Sequence, residues 1–154
     1  MVKSIKEIAE YIIEKYPESC LAQNVTKYGH GYLLEDDEML TEELASFFAN
    51  DIFGLCGCGN PEDTWEVIRR VLRIRSEARE RDYYEIKQMY KDELHLDNDD
   101  DIDHGVLQFI LYILDNNGLV EHGGSIGGCW LSELGKMYLT VLDAWCELEA
   151  REEG

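Results

Sequence analysis

Apolar positions recur at helical spacing along most of the chain. Residues 3–16 place Ile5, Ile8, Ala9, Ile12, Ile13 and Tyr16 on one face, with Lys6, Glu7, Glu14 and Lys15 mostly opposite. This predicts an amphipathic helix that Pro17 ends. EDDEMLTEELASFFANDIFG, starting at Glu35, predicts a second helix with acids in its first turn and Gly54 near its end. Residues 18–36 show no decisive period, and YGHGY at 28–32 reads as a turn. Asn60 suits an N-cap, Pro61 the first helical position, and Glu62 and Asp63 the positive end of the dipole. That helix carries Trp65, Ile68, Val71 and Leu72. It is expected to continue or bend near Ser76, because Tyr83, Ile86, Tyr90 and Leu94 resume the stripe.

HLDNDDDIDHG at 95–105 is a charged loop. Residues 106–116 are apolar nearly all round, the pattern of a central buried helix. NNG at 116–118 stops it, with Gly118 suited to a left-handed conformation. LVEH, the glycine turn GGSIGG and CWL then predict a β-hairpin. Ser132 caps a last helix carrying Leu134, Met137, Tyr138, Val141, Leu142, Trp145 and Leu148. The expected fold class is mainly α with one short β-hairpin. A single domain over 1–154 is expected: N-terminal helices at 1–53, an Arg-rich helical segment at 60–94, and a unit at 102–150 built around the hairpin.

Charge changes this picture more than composition does. The 154 residues are 45% hydrophobic, enough for a core. They include 33 acids against 14 bases, a formal net charge of -19. Such a chain is repelled by nucleic acid and by anionic membranes, and its attractive partners are cations or basic protein surfaces. The longest apolar run, VLQFILYIL at 106–114, is too short to span a bilayer, and the N-terminus lacks a secretory h-region. Five cysteines without a framework spacing suggest reduced thiols and a cytoplasmic protein.

The charges are also unevenly placed. Eight of the 14 bases (Arg69, Arg70, Arg73, Arg75, Arg79, Arg81, Lys87 and Lys91) fall between 69 and 91, and 67–76 contains no acid. Two readings follow: these cations pair internally or with a second subunit in a homodimer, or Arg69, Arg70 and Arg73 contact nucleic acid. The acidic runs are Glu35, Asp36, Asp37 and Glu38, joined by Glu42 and Glu43, and then Asp97, Asp99, Asp100, Asp101 and Asp103. They read either as solvated faces or as a partner-binding surface whose spaced carboxylates imitate a phosphate backbone. Exposed tyrosines such as Tyr84 are candidate anchors.

Motifs for chemistry are sparse. GLCGCGNPEDTW at 54–65 lacks the third glycine of a dinucleotide loop, since position 62 is Glu. Cys56 and Cys58, with His122 and Cys129 flanking the hairpin turn, form a candidate Cys3His zinc set. The bland alternative is a glycine-rich turn with small thiols buried as hydrophobes. Cys58 precedes a helix start, which lowers a thiol pKa, but the four histidines offer no nucleophile-family context. No GxSxG, HExxH or P-loop pattern is present, so no enzyme is expected and no cofactor beyond the candidate zinc. Asp97, Asp99 and Asp101 fit the first ligand positions of an EF-hand, but Ile102 replaces its glycine and Gln108 its bidentate acid. A solvated loop that also caps the next helix accounts for them.

The order helix, GLVEH, glycine turn, CWLSELGKMYL, with Leu131, Ser132 and Gly135 in a Leu-Ser-x-x-Gly pattern, resembles the second half of a winged-helix domain over residues 102–148. Together with LCGCGNPE at 55–62, the chain resembles a group of small uncharacterised phage and prophage proteins of Gram-positive bacteria. The resemblance implies a winged-helix-like C-terminal half and a cytoplasmic location in a bacterial host. Winged helices usually bind DNA, but neither IDHGVLQFILYILDNNG nor LVEHGGSIGGCWL contains Lys or Arg. Direct DNA contact through this half is therefore not expected. The expected function is non-catalytic binding of a basic protein surface, as a nucleic-acid mimic inhibiting a nucleic-acid-binding enzyme such as a CRISPR effector of host defence. The alternatives are a phage regulator touching nucleic acid through its Arg-rich helix, and a zinc-stabilised structural module.

Overall fold

The computed structural model describes residues 3–48 and 61–153, with 61–65 and 152–153 as helical backbone only. LCGCGNPE at 55–62 and the expected Asn60 cap fall almost wholly outside the described residues, as do Cys56 and Cys58. The chain divides into two units: 1–61 with 140–154, and 62–139.

In the first unit, Ser4 opens helix α1 (Ile5–Lys15) with a capping box. Its Oγ accepts from the Glu7 N–H at 3.1 Å, and the Glu7 carboxylate accepts from the Ser4 N–H at 3.0 Å. The face that the periodicity assigned inward buries Ile8, Ala9 and Ile12. The undecided stretch 18–36 holds a helix, α2 (Cys20–Thr26), with Ser19 as N-cap. At seven residues it is too short for a 3.6-residue period to register. Gly29 then turns the chain at φ +75°, and a 3-10 turn over Gly31–Glu35 buries Leu33. Asp36 caps α3 (Asp37–Phe47), which buries Leu40, Leu44, Ala45 and Phe47 and packs with α2 against α1.

The second unit begins with α4 (Pro61–Ser76), which starts at the expected proline. It does not run on past Ser76. Asp82 and Glu85 form a second capping box that starts α5 (Tyr83–Leu94) afresh. His95 ends α5 in the left-handed region at φ 57°. Ile74, Ile86, Tyr90 and Leu107 form a shared core of α4, α5 and α6 (Asp101–Asn116). Gly118 stops α6 at φ +75°. Strands β1 (Val120–Glu121) and β2 (Trp130–Leu131) pair antiparallel, with Val120 opposite Leu131 and Glu121 opposite Trp130. They are shorter than LVEH and CWL suggested.

The last helix, α7 (Glu133–Glu153), shows what the Leu-Ser-x-x-Gly pattern does. Ser132 Oγ accepts from the Gly135 N–H at 3.0 Å and donates to the Gly118 carbonyl at 2.6 Å, which joins two helix ends through one hydroxyl. The Leu119 carbonyl passes so close to Gly135 that any Cβ would collide with it. The architecture is mainly helical with one short hairpin, and its order from α6 to α7 is the order read from the sequence.

One expectation is overturned. Residues 106–116 are not buried all round. Leu107, Leu111 and Leu114 face the core, but Val106, Phe109 and Tyr112 are exposed, together with Ile102 one turn earlier.

Candidate functional site

The site is built from the loop after α5 and from the helix it starts. Asp100 Oδ1 accepts from the N–H groups of Ile102 at 3.0 Å and Asp103 at 3.1 Å, which caps α6. Asp103 Oδ2 accepts from the Asp97 N–H at 2.9 Å, and Asp97 Oδ1 accepts from the Asp99 N–H at 2.9 Å. His104 Nδ1 lies 2.8 Å from Asn98 Oδ1. From α5, Lys87 Nζ pairs with Asp99, and Lys91 Nζ lies 3.9 Å from Asp97. The Asp99 contact holds the Lys87 ammonium above its ordinary pKa. Asp97 and Asp99 are turned to two different lysines instead of to one cation. Among the described residues, no three His, Cys, Asp or Glu side chains are grouped to hold a metal ion.

Beyond this loop, α6 presents two apolar faces. Ile102 and Phe109 are 77% and 67% exposed, with Val106 and Tyr112 beside them. Steps of four and three residues join Ile102, Val106 and Phe109, so the three share one stripe. Half-buried Ile113 continues it. The stripe begins among Asp99, Asp100 and Asp101, all exposed, and α6 contains no Lys or Arg.

Arg69, Arg70, Arg75, Arg79 and Arg81 of the Arg-rich segment have partners in their own unit. Glu66 Oε1 holds Arg70 Nε at 2.9 Å and Arg69 Nη1 at 3.3 Å, and Arg70 Nη1 donates to the Glu93 carbonyl at 2.6 Å. Arg73 is half-buried and engaged too. Arg81 bridges Glu77 at 3.2 Å and Glu85 at 3.1 Å. Arg79 stacks its guanidinium 4.4 Å from the centre of the Trp130 ring. Arg75 is buried. Its Nε and Nη2 donate to the Cys129 carbonyl at 2.9 and 2.6 Å, and its Nη1 donates to Tyr90 Oη at 3.2 Å. One guanidinium thus ties α4 and α5 to the start of β2.

The two hairpin members of the candidate zinc set, Cys129 and His122, sit in different surroundings. Cys129 is fully buried, and burial pushes its thiol above its ordinary pKa despite the nearby Arg75. His122 is exposed, with Nε2 3.4 Å from Asp115 Oδ2 and Nδ1 2.9 Å from the Gly123 carbonyl oxygen. Their proposed companions Cys56 and Cys58 lie outside the described residues.

In the other unit, Glu35, Asp36, Asp37 and Glu38 are all exposed around the start of α3. Asp36 is its cap, Glu35 lies 3.2 Å from Lys6, and Glu38 lies 3.8 Å from Arg151. A depression of about 400 Å³ in the same unit is lined by Lys15 to Ser19 and Phe47.

The chain matches no family profile, no curated protein and no solved structure. No helix among the described residues is long and apolar enough to cross a membrane. Sequence reading missed the outward stripe of α6 and the buried role of Arg75. For the stripe a signal was present: a helix apolar all round, directly after five aspartates, is equally consistent with one face in the core and one face left for a partner.

Proposed function

We propose that this protein is a non-catalytic binding module that engages a basic protein surface. The observation that carries this reading is the exposure of the carboxylates clustered at the starts of α3 and α6. Arg69, Arg70 and Arg75 of α4, and Arg79 and Arg81 of the turn after it, are engaged with carboxylates, carbonyls, a tyrosine hydroxyl and an indole of their own unit. Carboxylates stay exposed on both units, at Glu35 to Glu38 and at Asp99 to Asp101, even where Lys6, Arg151 or Lys87 lies beside them. A surface of this kind attracts Lys- and Arg-rich partners from a distance and repels phosphate backbones. A partner that normally holds nucleic acid, such as a defence nuclease in a bacterial host, offers a matching cationic groove, and occupying it would inhibit that partner by competition.

The regulator reading needs Arg69, Arg70 and Arg73 to leave their present partners for phosphates. The zinc reading needs Cys56 and Cys58, which lie outside the described residues. Neither is favoured by a specific contact.

Affinity capture with the whole protein from a bacterial lysate, with and without added duplex DNA, tests the proposal. The expected result is a nucleic-acid-binding protein that DNA displaces, whose capture falls as salt rises. Charge reversal of Glu35, Asp37, Asp99 and Asp101 should abolish the capture. Capture unchanged by that reversal, or capture of DNA itself, would overturn the reading.

A further inference from the structure

The stripe of α6 has a shape as well as a composition. Ile102, Val106, Phe109 and half-buried Ile113 follow one another at steps of four, three and four residues. That is the seam of a two-helix coiled coil, in which apolar positions recur every 3.5 residues and face a second helix. It extends over roughly 16 Å of helix axis at 1.5 Å per residue. Between its knobs, Gly105 leaves open space where a side chain would stand, with nothing within 4 Å of an added Cβ. Large apolar side chains gathered on one face of a soluble protein mark an interaction surface more often than chance exposure does.

The flanks of the seam select the occupant. The seam starts beside exposed Asp99, Asp100 and Asp101, and α6 has no Lys or Arg along its length. A second copy laid on this face, in either direction, would bring another helix without Lys or Arg. It would also bring a second chain of formal charge -19. Like charges facing each other across a helix pair oppose it, and opposite charges at the flanking positions choose the partner.

We infer that the exposed face of α6 is a docking seam for an amphipathic helix of another protein, one whose apolar stripe is flanked by Lys and Arg. This rests on the reading of the chain as a binder of basic protein surfaces, and it names the element that the partner presents. Apolar contacts along Val106 and Phe109 hold the complex. The aspartates at the start of the seam set its direction, since they attract the basic end of the incoming helix.

The test uses the full chain and a designed three-heptad peptide with Leu at its a and d positions and Lys at e and g, labelled for fluorescence anisotropy. The wild type should bind it, and should bind neither a scrambled peptide of equal charge nor the same peptide with Glu at e and g. Phe109→Ser with Ile102→Ser should weaken binding about tenfold or more. Circular dichroism checks that this variant melts as the wild type does, since both side chains point to solvent. Asp99→Asn with Asp101→Asn should weaken binding less and reduce its salt dependence. Equal binding of the scrambled peptide, or no effect of the stripe variant, would overturn the seam. Binding lost with the stripe but indifferent to both aspartates would keep the seam and remove the basic-partner reading. Self-association in sedimentation at rising protein concentration, lost with the stripe variant, would replace the partner helix by a second copy.

Discussion

Helices α4 and α6 are both 16 residues long and belong to the same unit, yet each does what the other's sequence suggests. From charge alone, α4 is the outward-looking helix, with an acid-free run of arginines aimed at an anionic partner. Arg70 and Arg75 instead fasten it to α5 and to the hairpin. From hydropathy alone, α6 belongs in the middle of a core. Its far side carries Ile102 and Phe109 into solvent. Residue type reports what a side chain can bind, and packing decides whether the binding partner belongs to the same unit.

Arg75 offers the strongest way to break this comparison. Its three hydrogen bonds reach a backbone carbonyl and a tyrosine hydroxyl, all inside the protein. Removing it leaves the Cys129 carbonyl without its donor and opens a cavity. Bonds from a charged donor contribute more than neutral ones, and a buried acceptor left unsatisfied adds its own cost. Arg75→Ala should therefore lower unfolding free energy by about 3–5 kcal/mol, read as a fall in the urea midpoint. Arg75→Lys should recover little, because an ammonium lacks the fork that spans one carbonyl with two donors. A loss below about 1 kcal/mol, within the range of a surface change, would return α4 to its outward reading.

The two faces of α6 give the next largest effect. Leu111 is buried and Phe109 is not. Leu111→Ala should cost roughly 2–4 kcal/mol, since a cavity adds to the lost transfer energy. Phe109→Ala removes more carbon but should stay within about 0.5 kcal/mol of wild type, because solvent already surrounds the ring. Thermal or urea unfolding of the pair, side by side, checks the contrast. Equal losses would mean that Phe109 is covered in solution.

The alkaline limb sharpens the core side of the comparison. Burial raises the phenol pKa of Tyr90 and of Tyr138, and raises the Cys129 thiol, the nearby Arg75 offsetting part of the rise for Tyr90 and Cys129. Each group therefore keeps its proton in the folded chain at a pH where the unfolded chain has begun to lose it. The stability each one contributes is complete below the ordinary values of 9.0 for the thiol and 10.0 for the phenols, and drains away as pH rises beyond them. The slope is at most about 1.4 kcal/mol per pH unit for each group. Urea unfolding between pH 8 and about 11, under reducing conditions, should show the decline, and Tyr138→Phe should flatten it. A wild-type curve level across that range would mean that these side chains are open to water.

Much of this fold was legible in the sequence, and the failures share a physical cause. Pro61 and Gly118 act through the backbone at their own position, and Ser132 caps a backbone N–H three residues on, so these effects survive without knowledge of the tertiary structure. The capping and the hairpin order could be read for the same reason. The helix α2 was missed because its seven residues give too few turns for a period, although Ser19 was there to cap it. The stripe on α6 and the inward turn of Arg75 depend on which other elements lie alongside, and a single helix does not encode that. The aspartates of 97–103 were legible as capping groups, but not the lysines of α5 that Asp97 and Asp99 meet.

The smallest expected effect bears most directly on α4. Arg69 and Arg70 share Glu66, and their side chains are 22% and 45% exposed. Exposed pairs of this kind contribute little, because solvent screens them and two long side chains must be held still. Arg69→Gln should change stability by no more than about 0.5 kcal/mol. Arg70→Gln should cost slightly more, up to about 1 kcal/mol, since Arg70 also donates to the Glu93 carbonyl at 2.6 Å and joins α4 to the end of α5. Neither change should alter behaviour towards duplex DNA, which the wild type should fail to retain even at low salt, where phosphate contacts are strongest. A gel shift seen for the wild type and lost in the double variant would show that these two cations exchange Glu66 for phosphate. Such exchange would make their internal pairing a resting state, and α4 would again be a reader of nucleic acid.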